Sequence, residues 1–124
     1  MNVSLSRIIL YVNDVRSLAA FYRDALGMRV VEEIADGWAV LAAGPCELAL
    51  HAAGEAHRGP RGGWTGANSN AKLVLDVAGD VSALRERLLA RGVPMREIKS
   101  FAGVAGRFTD GADPEGNVFQ LSGE

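Results

Sequence analysis

The chain has 124 residues, of which 48% are hydrophobic and 23% charged, and its net charge at neutral pH is −2. This length supports one domain with a real core, and the slight negative charge gives no reason to expect a nucleic-acid partner. No apolar run reaches the roughly 18 residues that cross a bilayer, no signal-peptide pattern opens the chain, and Cys46 has no second cysteine to pair with. We therefore expect a cytoplasmic globular protein with no membrane partner.

The first half of the chain predicts a strand, a helix and three further strands. An apolar strand at 7–12 leads to Asn13 and Asp14, and either residue can cap a helix through its short side-chain oxygen. Apolar residues then recur at helical spacing until Gly27, a residue suited to a helix end. The remaining strands of this half are predicted at 28–34, 38–42 and 46–52, with Asp36-Gly37 as a hairpin turn.

A glycine-rich stretch at 53–70 connects the two halves of the chain. At about 18 residues it is long for a connection without secondary structure, a length typical of functional loops or linker segments. Trp64 lies in its middle, where there is little core to join, and is therefore a candidate for a pocket or an interface.

The second half repeats the order of the first. A strand at 71–77 precedes Asp80, which is placed to cap a helix that ends at Gly92. The further strands are predicted at 95–100, within 101–109 and at 118–122. Two units of about 60 residues would each be marginal alone, so we expect them to share a core or to share one with a partner chain.

The two-residue period of strands separates a face that packs against the helices from a face that does not. The residues predicted on the helix-free face are Arg7, Ile9, Tyr11, Glu47, Ala49, His51, Lys72, Val74, Asp76, Val118 and Gln120. One interpretation is a simply solvated face, as antiparallel sheets allow. The other is a cavity wall, because small-molecule sites combine apolar surface with a few polar groups. For Trp38, core packing is the default expectation.

Two motifs carry a resemblance to a known family. These are the Asp14…Phe21-Tyr22…Leu26-Gly27 pattern and the Asp113-Pro-Glu-Gly-Asn117 turn. With them the chain resembles the vicinal-oxygen-chelate superfamily, which comprises glyoxalase, bleomycin-resistance and extradiol-dioxygenase proteins. The resemblance implies an α+β fold: two βαβββ modules forming a curved mixed sheet around a cavity, with the helices on the outer face, and commonly a homodimer. The modules would be 1–52 and 71–124, within one domain over 1–124.

Enzymes of this family bind one divalent metal through four strand positions. Carried over residue by residue, these positions fall on Arg7, Ala49, Lys72 and Gln120. Arg7 and Lys72 are cations and Ala49 has no donor atom, so only the amide oxygen of Gln120 remains. One neutral oxygen does not hold a divalent ion, and we expect neither a metal at these positions nor another cofactor.

The sequence-based hypothesis is therefore a metal-independent protein that binds a small organic molecule, anionic or carbonyl-bearing, in the cavity between the modules. The candidate ligand-binding residues are Arg7, Tyr11, Glu47, His51, Trp64, Lys72 and Gln120. Alternatively, Glu47 and Asp76 neutralise the two cations internally and no ligand is needed.

Two other functions stay open from the sequence. A metal-dependent lyase, isomerase or dioxygenase would need displaced ligands, for which His51 and Glu47 are the candidates. A purely structural dimerisation module is the third possibility. A catalytic residue is not identified by any motif.

Overall fold

The computed structural model describes residues 2–54 and 71–124. The chain divides into two compact units, Met1–Pro60 (the first unit) and Arg61–Glu124 (the second unit). The first unit contains β1 (Arg7–Val12), α1 (Val15–Asp24), β2 (Arg29–Ile34), β3 (Trp38–Ala43) and β4 (Cys46–Ala52). The second contains β5 (Leu73–Asp76), α2 (Val81–Ala90), β6 (Arg107–Ala112) and β7 (Val118–Gly123). The predicted α+β class with mixed sheets is confirmed, whereas Trp64 and most of the 53–70 connection lie outside the described residues.

The first unit is a four-stranded sheet in the order β1-β4-β3-β2. β1 runs parallel to β4, and the other neighbours are antiparallel, with a register shift between Val30 and Glu32. Asp14 is the residue that caps α1, because its Oδ1 accepts the Ser17 backbone N–H at 3.0 Å. Gly27 follows the helix at a φ of 74°, a left-handed conformation that favours glycine.

The core of the first unit lies between α1 and one face of this sheet. The buried residues of the helix are Val15, Leu18, Ala19 and Tyr22, and those of the sheet include Val12, Ala39, Leu41, Leu48 and Leu50. Leu48 and Leu50 alternate with Glu47, Ala49 and His51, as the strand period predicts. The other face of the sheet is therefore free of the helix.

The second unit is a three-stranded sheet in the order β5-β7-β6. β5 runs parallel to β7, and β6 is antiparallel to β7. Asp80 caps α2, since its Oδ1 accepts the Ser82 backbone N–H at 2.8 Å. Val81 and Leu88 of the helix and Phe119 and Leu121 of β7 are buried. Neither described helix is long and apolar enough to cross a membrane.

The prediction of a full strand at 95–100 is wrong. This segment contacts β6 through two isolated bridges, Met95 with Gly111 and Lys99 with Phe108. The strand predicted within 101–109 begins only at Arg107 and continues to Ala112. Gly103 and Gly106 take φ angles of 77° and 90°, which interrupt an extended backbone before β6.

Arg107 ties β6 to the start of α2. Its guanidinium donates to Ser82 Oγ at 2.9 Å, to Asp80 Oδ1 at 3.0 Å and to the Glu124 carbonyl at 2.9 Å. The Val81 backbone N–H donates to the same carbonyl at 2.8 Å. The bond from Val81 satisfies an N–H group of the helix N-terminus, and the bonds from Arg107 hold the capping residue Asp80 and the acceptor Glu124 in place, which gives Arg107 a structural role.

Gly111 provides a test of packing in the second unit. A Cβ at this position would lie 2.5 Å from Met95 Sδ and 2.5 Å from Phe119 Cζ, and the Phe119 ring is fully buried. We predict that Gly111→Ala lowers the free energy of unfolding by about 1–3 kcal/mol, the usual effect of overpacking, as measured by urea denaturation.

Gly37→Ala is the matched control, because no atom lies within 4 Å of a Cβ at Gly37. Its free energy of unfolding is expected to stay within about 0.5 kcal/mol of the wild type. Equal losses in the two variants would contradict the packing described here.

Candidate functional site

On the helix-free face of the first unit, residues that lie opposite one another on neighbouring strands form levels across the sheet. Two of these levels are polar or aromatic, and an apolar level separates them. At one level Arg7 of β1 lies beside Glu47 of β4. At the other, His51 lies between Tyr11 of β1 and Trp38 of β3. Ile9, Ala49 and Val40 form the level between them.

Arg7 and Glu47 form an ion pair on this face. Arg7 Nη2 and Nε lie 2.8 Å and 3.1 Å from Glu47 Oε1, and the two side chains are 36% and 40% exposed. The Arg7 guanidinium carbon also lies 5.4 Å from the centroid of the Trp38 ring, within the range of a cation–π contact. Since Arg7 and Trp38 start from different levels, both side chains lean over the middle level, where Ala49 is fully buried.

Three rings form a row across the same face. The Tyr11 and His51 centroids are 5.2 Å apart, and those of His51 and Trp38 are 5.7 Å apart in an edge-on arrangement. His51 Nδ1 lies 2.8 Å from the Ala52 carbonyl, a contact that needs a proton on Nδ1 because a carbonyl only accepts. Tyr11 is 59% exposed. The row is an accessible surface for stacking a flat molecule, and Trp38 belongs to it, contrary to the expectation of core packing.

The second unit has its own polar cluster, centred on Asp110 of β6. Asp110 Oδ2 accepts from Lys72 Nζ at 2.8 Å, and its Oδ1 accepts from Gln120 Nε2 at 3.1 Å. Asp110 lies opposite Gln120 in the β6–β7 register, while Lys72 directly precedes β5. One carboxylate therefore bonds to two of the predicted site residues.

Asp110 was missed by sequence reasoning, because the predicted strand ended at residue 109. The two-residue period from Phe108 would have placed Asp110 on the face of Gln120 had the strand been extended. Glu47 and Asp76 are the acids that the sequence offers for internal neutralisation of the two cations. Glu47 pairs with Arg7, whereas Lys72 pairs with Asp110 and not with Asp76.

A pocket of about 120 Å³ adjoins the Asp110 cluster. It is lined by Lys72, Arg96, Glu97, Lys99, Phe101, Phe108, Thr109, Asp110 and Gln120. The Phe101 and Phe108 rings lie 5.7 Å apart, tilted by 49°. The volume is small beside the roughly 300–1,000 Å³ of drug-sized sites, so the pocket suits one small ring or group.

The four positions at which enzymes of the resembled family bind a metal do not fit a divalent ion in this chain. Arg7 and Lys72 are each engaged by a carboxylate, and Ala49 is fully buried without a donor atom. Gln120 uses its amide nitrogen on Asp110, which leaves a single oxygen. Within residues 2–54 and 71–124, no group of three or more His, Cys, Asp or Glu side chains is placed to hold a metal.

The predicted site residues thus fall into two groups, each within one unit. Arg7, Tyr11, Glu47 and His51 lie together on the first sheet. Lys72 and Gln120 lie together in the second unit. Trp64 lies outside the residues that the structure describes.

Comparison with protein families assigns this chain to a known superfamily. The profile of the Glyoxalase/Bleomycin resistance protein/Dioxygenase superfamily matches residues 4–121. None of the curated proteins compared matches the chain.

Three solved structures illustrate the similarity, and at these identities the likeness concerns the fold. An antibiotic binding protein from Streptomyces sp. CB03234, TnmS3, has 23% identity and a TM-score of 0.75, over 99% of this chain and 98% of that one. The fosfomycin resistance protein FosX from Listeria monocytogenes, complexed with Mn(II) and sulfate, has 18% identity and a TM-score of 0.76, over 99% and 91%. A lactoylglutathione lyase from Agrobacterium tumefaciens has 19% identity and a TM-score of 0.74, over 99% and 95%.

The Arg7–Glu47 pair should be energetically stronger than a fully solvated pair of the same type. Arg16 and Asp36 provide the comparison, because this pair is 81% and 75% exposed and also lies in the first unit. In double-mutant cycles with Ala, we predict a coupling energy of about 0.5–1 kcal/mol for Arg7–Glu47 and below about 0.3 kcal/mol for Arg16–Asp36. Thermal and urea denaturation of the single and double variants measure both values, and indistinguishable couplings would contradict the arrangement.

Proposed function

This chain belongs to the Glyoxalase/Bleomycin resistance protein/Dioxygenase superfamily, and we propose that it is a metal-independent member that binds a small organic molecule. The observation that carries the proposal is the pair of cation–carboxylate contacts, Arg7–Glu47 and Lys72–Asp110, at positions where the resemblance expects metal ligands. The function is retention of the molecule without a change in its covalent bonds.

Electrostatics supports metal independence. A divalent ion about 4 Å from a guanidinium is repelled by about 8 kcal/mol at an effective dielectric constant of about 20. Neutral Gln120 supplies one oxygen, and Glu47 and Asp110 already neutralise a cation each. To gain a carboxylate ligand, a metal ion would have to take Glu47 from Arg7 or Asp110 from Lys72, and it would then face the unpaired cation.

The composition of the two faces supports ligand binding. The first face combines the row Tyr11–His51–Trp38 with the Arg7–Glu47 pair, so it offers stacking surface next to hydrogen-bonding groups. The second is more polar, with the two rings of Phe101 and Phe108 beside the Asp110 cluster and further charged side chains. The first face therefore has the usual composition of a small-molecule site, apolar surface with a few converging polar groups, and the second adds charge to an aromatic wall.

In this mechanism the rings and the cations have separate roles. A flat part of the ligand stacks on the exposed Tyr11 side of the ring row, which excludes water from both surfaces. A ligand on the first face receives hydrogen bonds from Arg7 in exchange for those made with Glu47. A ligand on the second face receives them from Lys72 or the Gln120 amide, in exchange for those made with Asp110. The antibiotic binding protein from Streptomyces, which has the same fold, is consistent with a binding role for such a chain.

The metal-dependent enzyme is the less supported alternative. It would recruit Glu47 and His51, yet Glu47 is held by Arg7 and His51 Nδ1 by the Ala52 carbonyl. The FosX structure from Listeria monocytogenes contains Mn(II), so the fold itself accepts a metal. The side chains at the site then determine whether a given chain binds one.

The proposal includes a homodimer, on the basis of the resemblance, and a cytoplasmic location, since the single cysteine Cys46 has no partner for a disulfide within the chain. Analytical ultracentrifugation of the full chain tests the dimer, and a sedimentation mass of one chain at micromolar concentration would remove that part of the proposal.

A ligand screen in the presence and absence of EDTA tests the binding function. We predict that some small organic molecules raise the melting temperature equally in both buffers, because the site uses no metal. Arg7→Ala is expected to weaken a ligand of the first face, and Lys72→Ala a ligand of the second face, by about tenfold or more through the loss of one charge-assisted hydrogen bond.

Arg16→Ala is the matched control for charge, since Arg16 pairs with the solvated carboxylate of Asp36 in the first unit. It should leave the affinity unchanged. Turnover stimulated by added Ni²⁺, Zn²⁺, Mn²⁺ or Fe²⁺ would contradict the proposal that the protein only binds its ligand. A broad ligand screen without any hit would contradict it as well.

A further inference from the structure

We propose that the pocket of the second unit binds a flat aromatic ring that carries an anionic group, such as an aromatic carboxylate. This inference rests on the proposed function and names the chemical class of the ligand at one part of the molecule. Three properties of the pocket carry it: its size, its rings and its excess of positive charge.

The size of the pocket fits one ring. A closed apolar cavity of about 150 Å³ holds benzene, and this pocket of about 120 Å³ is open to solvent, so a ring enters it with one edge outside. The pocket is open on one side, so a substituent extends from the ring without a clash. Phe101 and Phe108 supply the aromatic wall, and their 5.7 Å separation and tilted planes leave ring faces available for offset or edge contacts.

The charges that line the pocket favour an anion. The cations are Lys72, Arg96 and Lys99, and the acids are Glu97 and Asp110. Asp110 is neutralised by Lys72 at 2.8 Å. Glu97 is 90% exposed and lies 3.7 Å from a guanidinium nitrogen of Arg85, which orients it toward α2.

Lys99 makes no ion pair with any residue in the described part of the chain, 2–54 and 71–124. Its backbone bridges Phe108 in both directions, with N–H to carbonyl distances of 2.8 Å and 2.9 Å. Opposite residues of an antiparallel bridge project their side chains to the same face. The Lys99 ammonium is therefore tethered beside the Phe108 ring, where it can meet the anionic substituent of a stacked ligand.

Three probes separate the contributions of charge and ring. Benzoate has both, benzamide has the ring without the charge, and cyclohexanecarboxylate has the charge without the flat ring. We expect a Kd for benzoate on the order of 1 mM, as for a fragment-sized ligand, and binding at least about tenfold weaker for the other two. Titration of the ¹⁵N-labelled full chain measures the affinities and should perturb the amides of Lys99, Phe108 and Thr109.

Variants locate the two contributions. Lys99→Gln should weaken benzoate by about tenfold and leave benzamide unchanged, because it removes only the charge. Phe101→Ala should weaken the binding of benzoate and of benzamide. Phe101 is 51% exposed, so this substitution should leave the fold intact. Arg91→Gln removes one positive charge from the exposed end of α2, outside the pocket, and should change neither affinity.

Equal binding of benzoate and benzamide, an unchanged benzoate affinity in Lys99→Gln, or no benzoate binding at tens of millimolar would each overturn the inference. If benzoate fails while other ligands bind near Arg7 and Trp38, only this inference falls. If metal-stimulated turnover is found while benzoate still binds at Lys99, the inference stands and the proposed function falls.

Discussion

The parallel pairing of the first strand of each unit with its last strand decides which side chains meet on the helix-free face. In the first unit β1 pairs with β4, which sets Arg7 level with Glu47. In the second, β5 pairs with β7, which sets Val74 level with Gln120. A slip by one residue would turn Arg7 toward α1 and bring Ile8 out, so one register determines both the core and the candidate site.

The two ion pairs that follow from this register are built differently. Arg7 and Glu47 sit on adjacent strands at the same level, so the contact is direct and half-exposed. Lys72 reaches Asp110 across β7, and Gln120 on that strand donates to the other oxygen of the same carboxylate. Asp110 thus organises the polar cluster of the second unit, because it holds the Lys72 ammonium and the Gln120 amide in place. The first site depends more on the Trp38 ring, over which the Arg7 guanidinium lies.

The features that the sequence predicts well are those set by local chemistry. Asp14 and Asp80 cap the helices through bonds to residues two or three positions away, and alternation along a strand assigns its faces. These rules place Arg7, Glu47 and Gln120 without knowledge of the sheet. The family resemblance also follows from short motifs, and its fold is confirmed over residues 4–121.

The features that the sequence predicts poorly depend on pairing between distant segments. Whether 95–100 forms a full strand depends on how it meets β6, where the structure has only the bridges from Met95 and Lys99. The Lys72 partner depends on which carboxylate lies within reach two strands away, and sequence spacing does not distinguish Asp76 from Asp110. Trp38 was assigned to the core on residue type, whereas the β3–β4 register sets it beside His51.

The strength of the Arg7–Glu47 and Lys72–Asp110 pairs affects the kind of binding that is proposed for this chain. Half-exposed pairs contribute about 1 kcal/mol or less, so a ligand that takes over one cation gives up little stability when it displaces Glu47 or Asp110. The rings have no charged partner to exchange, since Tyr11, His51 and Trp38 lie on three neighbouring strands and contact one another. In the proposed function, burial of ring surface would therefore provide most of the affinity, and the exchangeable cations would provide orientation. Such a division suits a protein that retains a molecule, because retention needs contact area and orientation but no group held ready to react.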